Sequence, residues 1–174
     1  MPQNQRHKAC AVVLAGGQGV NCKALHASVL TAVALVEPLF EEVMISANET
    51  DDYRIEGIRV VPDRVKHQGS LMAIYSALDA SSHEDNLVIL PHINSINKSL
   101  VDEMFGAIKK DTEVVIPVTH AAEKKLFFAI YRKGVLKKIE QLFLRGEMQL
   151  KELLPLCRVK YVLIEDKNRG GYDE

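Results

Sequence analysis

The 174 residues are enough for one domain with its own hydrophobic core. Hydrophobic residues make up 47% and charged residues 26%, as in ordinary globular chains, and the net charge of −1 gives no field favouring nucleic acid or an anionic membrane. No apolar run is long enough to span a bilayer, Met1 to Lys8 lack the apolar segment of a secretory signal, and Cys10, Cys22 and Cys157 have neither zinc spacing nor an even number for disulfides, so a reducing cytoplasm is expected.

In chain order, Cys10–Leu14 reads as a first strand. It breaks into Ala15-Gly16-Gly17-Gln18-Gly19, the way many α/β proteins bring bare backbone N–H groups against a phosphate. A helix is predicted over Ala27–Phe40, with Pro38 weakening its end. Strands follow at Val43–Ala47 and Ile58–Val61. Ser70–Leu78 carries Leu71, Ile74, Tyr75 and Leu78 at helical spacing, a buried stripe. Leu87–Leu90 is apolar throughout, as a strand covered on both faces should be. Leu100–Ile108 is the next helix, and Val114–Val118 and Phe127–Tyr131 are two further strands. Their separation is too short for a helical crossover, so an antiparallel strand is expected there. A helix at Val135–Leu144, a short one at Met148–Leu154 and a strand at Lys160–Ile164 complete the pattern, and Arg169 to Glu174 reads as a frayed end. The alternation predicts a single α/β domain over 1–174, with a three-layer, mostly parallel sheet that takes in an antiparallel strand.

In open α/β sheets the ligand crevice lies beyond the carboxyl ends of the strands. The residues due there are Gly16, Gly17 and Gly19, then Asn48, Asp63 and the run Pro91-His92-Ile93-Asn94. Each also admits a plainer role. The glycines make a tight turn, Asn48 and Asp63 cap or turn the chain after a strand, and His92 is a polar loop residue. His67, Tyr75 and Arg132 are read as serving packing or solvation.

The segments Leu14-Ala15-Gly16-Gly17, Ile45-Ser46-Ala47-Asn48, Gly69-Ser70-Leu71-Met72-Ala73, Phe127-Phe128-Ala129-Ile130-Tyr131-Arg132 and Leu144-Arg145-Gly146-Glu147 occur in an order that resembles the molybdenum cofactor guanylyltransferases. The resemblance implies a Rossmann-like nucleotidyltransferase fold. It also implies Mg2+ as cofactor, GTP and molybdopterin as substrates, and transfer of GMP with release of pyrophosphate. Other maturation proteins of the same cofactor are implied as partners, and no nucleic acid or membrane. By this resemblance Leu14, Ala15, Gly16, Gly17, Gly19, Asn48, Asp63 and Gly69 would hold the nucleotide, and Lys23 would offset the phosphate charge.

The chain departs from that family at four places. The family's R-M-G-x-x-K segment is shortened to Val20-Asn21-Cys22-Lys23, with Asn21 where a guanidinium belongs. Its metal-binding D-x-P reads Pro91-His92-Ile93-Asn94-Ser95, so His92 takes the Asp position, and its N-x-N pair is matched by Asp166 and Asn168. His92 and Asp166 are then the candidates for metal binding, with His92 and Lys23 for catalysis. Imidazole suits a hard cation poorly. In the G-P-L-A-G turn, Met72 and Ala73 are bulkier than what they replace and would crowd the backbone near the ligand. Three activities fit: an active GTP-dependent transferase, a catalytically impaired relative that keeps nucleotide or cofactor binding, and a transferase for CTP or another acceptor.

Overall fold

The computed structural model describes residues 5–16, 22–49 and 52–164. Gly17, Gly19, Asn21, Asp166, Asn168 and the tail from Arg169 lie outside them, as does the side chain of Cys22. Seven strands form one sheet: β1 (His7–Leu14), β2 (Phe40–Ser46), β3 (Arg59–Val61), β4 (Asp85–Ile89), β5 (Val114–Val118), β6 (Phe128–Arg132) and β7 (Val159–Leu163). Their order is β3-β2-β1-β4-β6-β5-β7. All neighbours are parallel except β6, which runs antiparallel to both β4 and β5. This is the expected mostly parallel sheet with one reversed strand.

The helices α1 (Cys22–Val36), α2 (Ser70–Ala80), α3 (Lys98–Gly106) and α4 (Leu136–Leu144) cover it. Period-two alternation sorts the strand side chains between two cores. Ala9, Ala11 and Val13 of β1 pack with Val43, Ile45, Leu87 and Ile89 against α1 and α3. Cys10, Val12 and Leu14 pack with Met44, Val88 and Ala129 against α2 and α4. Strand β1 is therefore buried on both faces, which accounts for its unbroken apolar run.

The largest departures from the expected elements are at α1 and near the C-terminus. Helix α1 begins at Cys22 and ends at Val36, not Phe40. Pro38 has no N–H to continue the ladder, and Phe40, 1% exposed, opens β2 opposite His7 instead. The helix expected over Met148–Leu154 is two 3-10 turns, Leu150–Glu152 and Leu154–Leu156, the second with Pro155 in its first turn. Other boundaries move by one to three residues.

At the end of the sheet opposite the crevice, Glu42 gathers charge. It accepts hydrogen bonds from Arg59 Nη2 (2.7 Å), the Ser82 N–H (2.9 Å) and His83 Nδ1 (2.9 Å), while His83 Nε2 lies 3.3 Å from Glu41. The Glu42 bond raises the His83 pKa above its usual 6.5, against the opposing effect of burial, and Glu41 raises it further. A raised folded pKa means that the charged imidazole stabilises the fold fully below pH 6.5, and that this contribution is lost as pH rises through the elevated value. The stability gap between the parent chain and His83→Ala should thus be about 1 kcal/mol in mild acid and shrink toward alkaline pH. Denaturant melts across that range check it, and a gap independent of pH would contradict it.

Candidate functional site

The carboxyl ends of β1 to β4 open onto a cavity of about 920 Å³. Leu14, Ala15 and Gly16 line it from the end of β1, Ala47 and Asn48 from β2, Asp63 from β3 and Leu90 from β4. Lys23 and His26 come from the first turns of α1, and Gly69, Ser70 and Ala73 from the start of α2. Seven of the residues expected at the site from sequence (Leu14, Ala15, Gly16, Lys23, Asn48, Asp63 and Gly69) therefore share one cavity. Parallel strands all end on the same edge, so segments distant in the chain meet there.

Its floor is an extension of the sheet. The Ala15 N–H bonds Ser46 O (2.8 Å) and the Ala47 N–H bonds Val61 O (3.1 Å), so these two donors are spent in the ladder. One step further out, Asn48 and Asp63 close a two-bond bracket: Asn48 Nδ2 donates to Asp63 Oδ2 and the Asp63 N–H donates to Asn48 Oδ1, both at 3.0 Å. The bracket ties the loop after β2 to the loop after β3. The next residue fixes that loop to α2, with the Arg64 N–H on Ser76 Oγ (2.9 Å) and its guanidinium on Asp79 (2.6 Å) and over the Tyr75 ring.

Gly69 precedes α2 at φ 80°, ψ −175°, a region open essentially to glycine alone. A Cβ there would meet no atom within 4 Å, so the whole effect of Gly69→Ala is conformational. A loss of about 2 kcal/mol is expected in urea denaturation, and an unchanged midpoint would contradict it. Met72 does not crowd the ligand's approach as expected from sequence. It is 6% exposed and packs into the core beneath the sheet, and only Ala73 reaches the cavity.

His92 is not brought into this cavity. It is exposed and lines a smaller hollow of about 210 Å³ with Lys124 and Lys125; Leu90 and Phe127 border both spaces. Among the described residues no group of three or more His, Cys, Asp or Glu could hold a metal ion. The carboxylate in that hollow, Glu123, is paired with Lys125 Nζ at 3.0 Å, and an exposed imidazole beside that pair and Lys124 does not suit a hard divalent cation, which takes oxygen ligands. The described residues thus do not fit the Mg2+ that the resemblance implied. Asp166 lies outside them.

Several cavity residues escaped the sequence reading. His67, expected to serve packing or solvation, lines the cavity in a left-handed conformation, φ 62°. Glu49, Asp52 and Tyr53 line it from the chain after β2, and the His26 and Tyr53 rings stack there. No spacing rule marked them, because they sit in loops and at a helix start. The two described cysteines take no part. Burial pushes the Cys10 thiol up to about 12 and the Cys157 thiol to about 11, and neither lines the cavity.

Residues 11–160 match the MobA-like NTP transferase domain. The chain belongs to that family. As a MobA-like domain it is 29% identical over 167 residues to a probable molybdenum cofactor guanylyltransferase of Pelotomaculum thermopropionicum, covering 91% of this chain and 80% of that one. A molybdenum cofactor guanylyltransferase of Vibrio campbellii is likewise 29% identical, with 89% and 84% covered. Among solved structures, molybdopterin-guanine dinucleotide biosynthesis protein A of Archaeoglobus fulgidus superposes with a TM-score of 0.72 at 17% identity, covering 88% of this chain and 83% of the other. At that identity the superposition speaks for the MobA-like fold alone. The resemblance seen in the ordered sequence segments is thus borne out at the level of family and fold.

Proposed function

We propose that this chain binds GTP in the cavity at the strand ends and transfers GMP to the phosphate of molybdopterin, acting in the cytoplasm as one domain. The observation that carries the reading is the meeting of Ala15 and Gly16, Lys23, the Asn48–Asp63 bracket and Gly69 around one space. Its relatives, named molybdenum cofactor guanylyltransferases, point to the nucleotide and the acceptor. Among the described residues no helix is long and apolar enough to cross a membrane.

In this reading the acceptor's phosphate oxygen attacks the α-phosphorus in line, the bond to the bridging oxygen breaks, and pyrophosphate leaves with the electron pair. Lys23 stands in the first turn of α1, where its ammonium adds to the partial positive charge of the helix start and offsets the triphosphate. Asn48 and Asp63 hold the nucleoside end.

The test is transfer of label from α-labelled GTP to molybdopterin, with and without Mg2+ and against CTP. Labelled product from GTP supports the reading. Tight GTP binding without product at saturation would instead support the impaired relative, which His92's place outside the cavity favours. Product from CTP would move the base preference.

A further inference from the structure

The His26 and Tyr53 rings lie parallel, 5° apart, with centroids at 5.4 Å, and both line the large cavity. Tyr53 is the inner ring, 6% exposed and part of the core under α1. His26 is the outer ring and half-buried. Its position follows from the helix. Val29, Val33 and Val36 form the buried stripe of α1, and His26 continues that stripe one turn toward the N-terminus, where the core gives way to the cavity. A flat ring thus stands at the border of apolar packing and open space, backed by a second ring that resists its displacement.

Such a surface suits a nucleobase. Every base has a π face, and stacking on an aromatic side chain is worth about 1–3 kcal/mol per base. Purines present the larger face. Glu49 and Asp52 line the same cavity and supply carboxylate acceptors for the N–H donors on a base's edge. We propose that the stacked His26–Tyr53 pair is the platform on which the purine base of the nucleotide lies. This rests on the reading that the cavity takes a nucleoside triphosphate.

The experiment uses three probes on the full chain: GTP, 2-aminopurine riboside triphosphate, whose fluorescence falls on stacking, and inorganic tripolyphosphate, which has no base. The fluorescence of the second probe should be quenched on binding. His26→Ala should weaken GTP about ten-fold and leave tripolyphosphate unchanged, and His26→Phe, which keeps a flat face, should recover GTP affinity to within about two-fold. An equal loss of tripolyphosphate affinity would mark a structural role for His26 and overturn the proposal. So would undiminished GTP binding by His26→Ala, or binding without quenching, while the nucleotide reading stood. If the parent chain bound neither GTP nor tripolyphosphate, the nucleotide reading would fail first and the platform with it.

Discussion

Asp63→Ala is expected to weaken GTP binding by roughly 30-fold, the scale of one hydrogen bond to a charged group. A carboxylate has room for about four hydrogen bonds, so the one from Asn48 Nδ2 leaves acceptor capacity for a ligand. Removing the side chain also releases Asn48, which is then held only by the bond from the Asp63 N–H to its own Oδ1. Two effects would therefore be mixed in the alanine variant, and Asp63→Asn separates them. The asparagine can still accept from Asn48, so the bracket and the melting temperature should survive, while the charge is gone. Calorimetric titration of GTP into both variants, with a thermal melt of each, reads the two contributions. Wild-type affinity in both would remove Asp63 from the site.

The larger effect on stability is expected at Glu113, far from the cavity. This residue is 8% exposed, yet its carboxylate is fully partnered: Lys138 Nζ lies 2.6 Å from both oxygens and the Arg158 N–H is 2.9 Å from Oε2. It ties α4 and the start of β7 to the start of β5. Burial alone would push the carboxyl up, but the Arg158 N–H and the Lys138 ammonium outweigh it and hold it below the usual carboxylate range. Glu113→Ala leaves a half-buried ammonium and a part-buried N–H without partners, at a cost of about 3 kcal/mol. In a chain of this size that corresponds to roughly 6 to 12 °C in Tm. A lowered folded pKa gives stability that is present above 4.5, the ordinary value, and is lost as pH falls through the folded one. The gap between parent and variant should therefore close in acid, the reverse of the His83 behaviour. A Glu113→Ala chain that melts with its parent at neutral pH would contradict this account.

Much of the fold was legible in the sequence because burial on both faces leaves a plain trace. Val12, Val13, Val88 and Ile89 stand in runs without polar interruption, and those runs are the central strands. The reversed strand was legible from a connection too short for a crossover. The site was legible where a residue follows a strand end, as Gly16, Asn48 and Asp63 do, and through the family resemblance at Lys23 and Gly69. His26 and Tyr53 left no such trace. Their meeting depends on where α1 begins, and Cys22-Lys23-Ala24-Leu25 does not read as a helix start without the packing of Val29 and Val33 behind it. His92 was expected at the site both because it follows β4 and because it stands where the family has its metal-binding Asp, but the turn after β4 carries it outward to the neighbouring hollow.

The most direct measurement is a crystal of the chain soaked in GTP. Nucleotide density between Ala15–Gly16 and the Asn48–Asp63 bracket, with phosphates toward Lys23 and the start of α1, is the predicted result. Nucleotide bound elsewhere, or a cavity that stays free of it at saturating GTP, would contradict the account.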